Sequence, residues 1–476
     1  MSTINTNVSS LIAQNSLRKN QTALNTSLQR LSTGLKINSG ADDPAGLIAS
    51  ENLKSQQAGI TQAINNGQRA SNIIGTAEGG LNEVSSLLTQ VQSLVSQSAN
   101  TGGLSQNEVN ANQLQVDSIL STINRIAGST TFEGKQLLNG NYAYSTSGTG
   151  TSAFDAIQVN AAHLSDNKTL SVVVQVTNSA TTGEVNFAAT NIAAGAGFTG
   201  AAPVTLEIAG NQGTQQLSFA ASSSLSSVAT SIDSIKDVTG VSATVSGTSL
   251  RIDSTGFGSA QFVSVKAVAG TFSVTGGTSG KATGADATVS VNGAAATVAG
   301  KDVEYRDNNL DLSFTLSSDL NQGNTKTFGI TGGGATFALG SKVTETDKAS
   351  IGIQSVSTGS LGDSTLGFLS SLASGGANAL TSNNLVTAQK VVDEAVNQVS
   401  ELRGRLGAFQ TYTIGSTINS LNVSYENASS ALSNVEDTDF SAETANLTRA
   451  QILSSAATTV LSQANSQPQS VLKLLG

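Results

Sequence analysis

The sequence predicts an α+β protein, in which both chain termini form a long antiparallel helical hairpin, or coiled-coil rod, and the centre forms β-rich domains. Three observations carry this reading. Apolar residues recur every three or four positions near both ends, which is the helical period. Between about Leu170 and Gly340 the period falls to two, with Gly-rich turns between the runs. The two ends also mirror each other: a short helix, a break and long helices are answered by a long helix, a break and a short helix. A chain so arranged folds back on itself with both termini at one end of the rod.

The first helix carries Leu17, Leu24, Leu28, Leu31 and Leu35 on one face. Gly34 and then Asn38-Ser39-Gly40 stop it, Asp42 and Asp43 offer capping oxygens, and Pro44 suits the first turn of a new helix. In the next helix Ile60, Ile64, Ala70, Ile74, Leu81, Val84, Leu88, Val91 and Val95 keep the period. From Ile60 to Val95 this makes a rod of ~50 Å, weakened locally by Gly79-Gly80. "SANTGGLS" turns the chain into a third helix bearing Val109, Val116, Leu120, Ile123 and Ala127, and Asn139-Gly140 predicts a tight turn.

"LSVVVQV", "ATVSV" and "LDLSFTLS" read as strands, interrupted once by the helical "SLSSVATSIDSI". Helical period returns near Leu385 with Val392, Ala395, Val399, Leu402, Leu406 and Phe409. It shifts phase, then continues through Ile414, Ile418, Leu421, Tyr425, Ala428, Leu432 and Val435. "VEDTDF" breaks this helix, so Glu436–Asp439 is the counterpart of the break at Asn38–Asp43. Beyond it Leu453, Ala457, Val460, Ala464, Val471 and Leu474 form a last seam, with polar Gln467 at one expected core position. Helices of ~30 residues are marginal alone in water, so both terminal seams require partners.

The implied division is 1–40 with 440–476 as terminal helices, and 41–165 with 346–439 as a long helical rod carrying a β-hairpin. Residues 166–275 then make a β-rich domain with a short helix, and 276–345 a second small β-rich domain.

Composition narrows function. The 476 residues include no Cys, no Trp and one His, with 12% charged residues and a net charge of −9. No Lys/Arg run exists to displace counterions from phosphates, which disfavours nucleic acid as a partner. No stretch reaches the ~20 apolar residues of a membrane span, and the N-terminus lacks a basic start followed by an apolar run. His163 alone makes neither a histidine triad nor a zinc helix. Asp42-Asp43 and "EDTD" stand where helices need caps, and the Gly runs match no phosphate loop. The expectation is a chain with no catalytic residues, cofactor or metal.

The terminal blocks carry a resemblance. "INTNVSSLIAQNSLRKNQTALNTSLQRLSTGLKINSGADDPAGLIASENLKSQ" and "EGGLNEVSSLLTQVQSLVSQSAN" resemble the N-terminal region of bacterial flagellin. "VSELRGRLGAFQ" and "VEDTDFSAETANLTRAQILSSAATTVLSQANSQPQSVLKLLG" are similar to its C-terminal region. More loosely, "TLEIAGNQGTQQLSFAASSSLSSVATSIDSIKDVTGVSATVSGTSLRIDSTGFG" resembles the β–helix–β insert of flagellins and hook-associated proteins.

The resemblance implies an extracellular, self-assembling subunit of the flagellar filament, a helical homopolymer used in swimming. Such a subunit is exported unfolded through the flagellar type III apparatus. Terminal helices would form an inner tube, with Leu17, Leu24, Leu28, Leu31, Leu453, Val460, Val471 and Leu474 as its assembly seam. Asn38, Gly40, Asp42, Asp43 and Pro44 would form the spoke between inner and outer tubes, with Gly for backbone freedom and Asp-Pro to restart the helix. Implied partners are other copies, hook-associated and cap proteins, and an export chaperone at the C-terminus, without nucleic acid or membrane insertion. In family members sensed by the vertebrate flagellin receptor, the positions matching Gln90, Ser93 and Gln115 are charged. Here they are neutral and only Leu94 is kept, so weak sensing is expected. The alternative is a hook–filament junction protein, which shares the terminal helical plan.

Overall fold

The computed structural model describes residues 6–475, apart from 101, 149–152, 165–168, 189–202, 222, 248, 271–273, 308, 318–322 and 383; side chains are described up to 467, except at 188. Eight α-helices stand among the described residues: α1 (Val8–Thr33), α2 (Pro44–Ser98), α3 (Gln106–Ser129), α4 (Leu225–Asp233), α5 (Lys236–Thr239), α6 (Leu385–Ala408), α7 (Ser416–Glu436) and α8 (Phe440–Leu475). The chain forms two compact units, one of residues 1–70, 338–348 and 411–476, the other of residues 71–337 and 349–410.

In the first unit α1 and α8 lie antiparallel. Asn7 Nδ2 donates to the Ala464 carbonyl at 2.7 Å and Asn20 Nδ2 to the Leu453 carbonyl at 3.1 Å. Within α2 and α7, Gly67 leaves room for Ile418: a Cβ there would meet Ile418 Cγ1 at 2.9 Å.

In the second unit the later part of α2 joins α3 and α6. The 3.6-residue period puts Ile74, Leu81, Val84, Leu88, Val91 and Val95 on one buried stripe of α2. Val116, Leu120, Ile123 and Ala127 do the same on α3, and Val392, Ala395, Val399, Leu402 and Leu406 on α6. A capping box starts α3: Ser105 Oγ accepts from the Glu108 amide, and the Glu108 carboxylate accepts from the Ser105 amide at 2.7 Å. Gly80, expected only to weaken α2, is required by packing, since a Cβ there would meet Thr130 Oγ1 at 2.7 Å and Leu138 Cδ1 at 2.8 Å. The phase shift after Phe409 is a π-helical stretch, Phe409–Gly415, whose wider turn moves the apolar stripe around the helix. Gly140 has the positive φ of a turn, but the two-residue hairpin turn falls earlier, at Glu133-Gly134, between Thr131–Phe132 and Lys135–Gln136.

The central strands make two sandwiched cores, and their membership corrects the division read from sequence. One core joins a five-stranded sheet, ordered Ala294–Ala295, Thr288–Val291, Leu170–Asn178, Thr325–Gly332 and Ser145–Ser147, to a four-stranded sheet of Thr297–Ala299, Asp302–Arg306, Leu310–Leu316 and Phe154–Ala162. The other packs α4 with strands drawn from Glu184–Ala188 to Lys281–Thr283. So Phe154–Ala162, placed in the helical rod, and Leu170–Asn178, placed with the helix-bearing domain, both belong with residues 287–330. A period of two says that a strand forms and which side is buried; it does not say which distant strand pairs with it.

Where the chain crosses between the cores, the Asp286 carboxylate accepts from the Ser259 amide at 2.9 Å and the Gly300 amide at 2.7 Å. A Cβ on Gly258, whose φ is +109°, would meet Gly300 Cα at 2.6 Å. Phe328 anchors the first core, fully buried and edge-on to Phe154 at 5.6 Å. Phe328→Ala should destabilise it by ~3–5 kcal/mol, through lost burial and the cavity left behind. Chemical denaturation of monomeric protein measures this.

Candidate assembly surface and hinge

The two breaks in the helical pattern meet in space. Gly34 ends α1 in the left-handed region (φ 76°), and its amide donates to the Arg30 carbonyl. From there the chain makes a short antiparallel bridge, Leu35 to Asp437. The Lys36 amide donates to the Glu436 carbonyl at 2.6 Å, and the Thr438 amide to the Gly34 carbonyl at 2.9 Å. The buried Glu436 carboxylate also accepts from Lys54 Nζ at 2.7 Å, and this bond raises the Lys54 pKa.

The loop that follows is closed by its two aspartates. Asp42 Oδ2 accepts from the amides of Asn38 and Ser39 and from Ser39 Oγ, at 3.1, 2.8 and 3.0 Å. These bonds, the Ser39 hydroxyl foremost, hold the Asp42 carboxyl below its ordinary value of 3.8. Asn38 Nδ2 donates to the Leu35 carbonyl at 2.8 Å. Asp43 Oδ1 accepts from the Gly46 amide at 2.9 Å, the N-cap bond of α2, with Pro44 as the first helical residue. Asp439 caps α8 in the same way, accepting from the Ser441 amide at 2.8 Å. One expectation is corrected: Gly40 has no left-handed φ and meets only ordinary contact, so Gly34 is the position whose backbone calls for glycine.

The terminal hairpin is built from small residues. Ser10, Ala13 and Ser27 of α1 are buried, as are Glu443, Ala450, Ala457 and Ala464 of α8, each seven residues from the next. Leu17, Leu24 and Leu31 are half-buried beside them. Ser10 Oγ meets Asn465 Oδ1 at 2.6 Å, and Arg30 lies 3.7 Å from Glu443. The sequence seam of α8 is thereby split: Ala457 and Ala464 are buried, while Leu453 (46% exposed) and Val460 (58%), at the flank of that stripe, stay exposed. Leu28 is exposed too, with Val8, Leu11, Ile12 and Ile452. The side chains of Val471 and Leu474 lie outside the described residues. Sequence reasoning missed Ser10, Ser27 and Ala450 because it followed large apolar residues; the seven-residue spacing of Glu443, Ala450, Ala457 and Ala464 was the available signal.

On the second unit Gln90 and Ser93 are exposed along α2, Leu94 is half-buried, and Gln115 is exposed on α3. No hydrogen bond joins these four side chains to one another.

Two outcomes follow from the hinge. Asp43→Ala should cost ~1 kcal/mol by removing the cap of α2, read as a lower denaturant midpoint. Asp42 is lowered when folded, so its contribution is present above its unfolded value and is lost as pH falls through the folded one. Acidification below about pH 4 should therefore lower the protection of the Asn38 and Ser39 amides, their exchange being compared with the intrinsic rate at each pH, and Asp42→Asn should remove that loss.

Comparison with known proteins identifies the family. The model of the bacterial flagellin N-terminal helical region matches residues 4–143, and that of the C-terminal helical region residues 389–475. Flagellin of Salmonella typhimurium (strain LT2) is 31% identical, with 99% of each chain covered. The B-type flagellin of Pseudomonas aeruginosa (strain PAO1) shows the same identity and coverage. A solved structure of FliC from Burkholderia pseudomallei aligns over 72% of this chain and 99% of its own, at 16% identity and a TM-score of 0.25, too low to carry argument. With both terminal models matched and relatives aligned along nearly its whole length, the chain belongs to the bacterial flagellin family.

Proposed function

We propose that this filament subunit polymerises through the outward apolar face of its terminal hairpin. The observation that carries the reading is the inverted burial of α1 and α8. Small residues fill the seam inside one chain, and Val8, Leu11, Ile12, Leu28, Ile452, Leu453 and Val460 stand in water. Buried apolar area is worth roughly 25 cal/mol per Å², so copies packed along this face gain what the single chain leaves unused. Large apolar side chains left exposed on both helices in this way mark an interaction surface.

The flagellin family is structural, and that role needs no catalytic group. The full-length likeness is to flagellins, and nothing in it favours a hook–filament junction protein. In this reading the spoke residues Asn38, Gly40, Asp42, Asp43 and Pro44 carry one chain between two radii of the filament. Among the described residues no helix is long and apolar enough to cross a membrane. The subunit works outside the cell, after export in unfolded form through the type III apparatus. A chaperone holds its C-terminal segment before export, and hook-associated and cap proteins border the finished polymer. Gln90, Ser93 and Gln115 supply neutral groups where receptor-sensed flagellins carry charge, and charged hydrogen bonds are worth ~1.5–3 kcal/mol against ~1 for neutral ones.

The direct test of the assembly face is the pair Leu453→Asp and Val460→Asp. Both residues are exposed in the single chain, so the subunit should keep its helical circular dichroism yet fail to extend filament seeds. Filaments from the double variant would overturn the assignment. In a receptor reporter assay, Gln90→Arg with Ser93→Glu should raise the signal of monomeric protein about tenfold or more. An unaltered signal would refute the electrostatic reading.

A further inference from the structure

A polar cavity of about 240 Å³ opens in the second unit, where α6 faces the solvent side of the four-stranded sheet. Its wall includes Asn160, Thr297, Glu304, Arg306, Asp311 and Glu401. The volume far exceeds the ~10–15 Å³ that one water needs, and it falls short of the ~300 Å³ at which drug-sized sites begin. It suits one small ring.

One group of this wall lacks a partner. Asn160 is 6% exposed, and its Oδ1 has no hydrogen bond. The orientation of the amide is set by its other end, since Nδ2 donates to Asp311 Oδ1 at 3.0 Å. A buried, unmet carbonyl oxygen is costly and calls for a donor.

The wall carries Glu304, Asp311 and Glu401 against Arg306, which is paired with Asp311, so the place disfavours an anion. Asp311 is already engaged by Asn160 and by Arg306 Nε at 2.7 Å. Among the described residues no group of three acidic or histidine side chains could hold a metal. The unmet group of the wall is the Asn160 Oδ1 acceptor, set among carboxylate oxygens and the Arg306 guanidinium, and hydroxyl groups suit such a mixed wall because each donates and accepts.

We infer that this cavity between α6 and the sheet binds a neutral polyhydroxylated ring, a single pyranose sugar unit. Hydroxyls of the ring donate to Asn160 Oδ1 and to the rim carboxylates of Glu304 and Glu401, and accept from the Arg306 guanidinium. Without an exposed aromatic platform the affinity is weak, on the order of millimolar for so small a ligand. The proposal does not depend on the assembly face, which lies in the other unit.

Saturation-transfer NMR on assembled full-length filaments, with D-glucose as probe and glutamate as a charged competitor, tests the site. Glucose should receive saturation, and Thr297→Phe, which changes an exposed edge-strand residue and fills the cavity, should abolish it. Asn160→Leu should do the same; because it also frees Asp311, filament formation by each variant is checked first and Thr297→Phe stands as the independent arm. Absence of transfer to glucose, transfer unaltered in Thr297→Phe filaments, or transfer to glutamate exceeding that to glucose would each overturn the assignment.

Discussion

Two backbone hydrogen bonds across the Leu35–Asp437 bridge hold the breaks of the helical pattern side by side, and the register of the terminal hairpin follows from them. Once Gly34 and Thr438 are paired, α1 and α8 leave the same point in antiparallel directions. Arg30 then falls opposite Glu443, Asn20 opposite Leu453 and Asn7 opposite Ala464. The bridge is short, so it is reinforced from its own neighbourhood by the Lys54–Glu436 ion pair and the Asp42 and Asp43 bonds. Ion pairs near a surface are worth little singly; here the pair satisfies a buried carboxylate.

That register decides the chemistry of the outer face. Alanine and serine in the seam let the two backbones approach closely, which leaves the branched residues of the same helices no place inside. A subunit built for stability alone would turn Leu28, Leu453 and Val460 inward. This one leaves them exposed, which is the surface that the proposed assembly would cover. The second unit follows the opposite logic: the later part of α2, α3, α6 and both β cores bury their large apolar residues within one chain.

The β region shows how connection and packing separate. Strands near residues 154 and 170 precede the helix-bearing core in sequence yet pair with strands beyond 287. That core is therefore an insertion between two parts of its neighbour. Gly258 and Gly300 at the crossing, with the Asp286 carboxylate bonded to both sides, allow close backbone approach at the only place where chain passes repeatedly between the cores among the described residues.

Periodicity and caps were legible in the residue order because both are local. The 3.6-residue and two-residue patterns, the Asp43-Pro44 restart and the break at Glu436–Asp439 depend on neighbours within a turn or a strand. Even the π-helical stretch announced itself as a phase shift after Phe409. Folding in three dimensions alone settled which side of α8 meets α1, which strands share a sheet, and that Gly34 rather than Gly40 carries the left-handed turn. It also settled that Gly80 makes room for Thr130 and Leu138, and that Asn160 Oδ1 is buried without a hydrogen-bond partner. These outcomes turn on contacts between residues far apart in the chain, where volume, register and hydrogen-bond supply are set by both partners, and no local pattern records the second one.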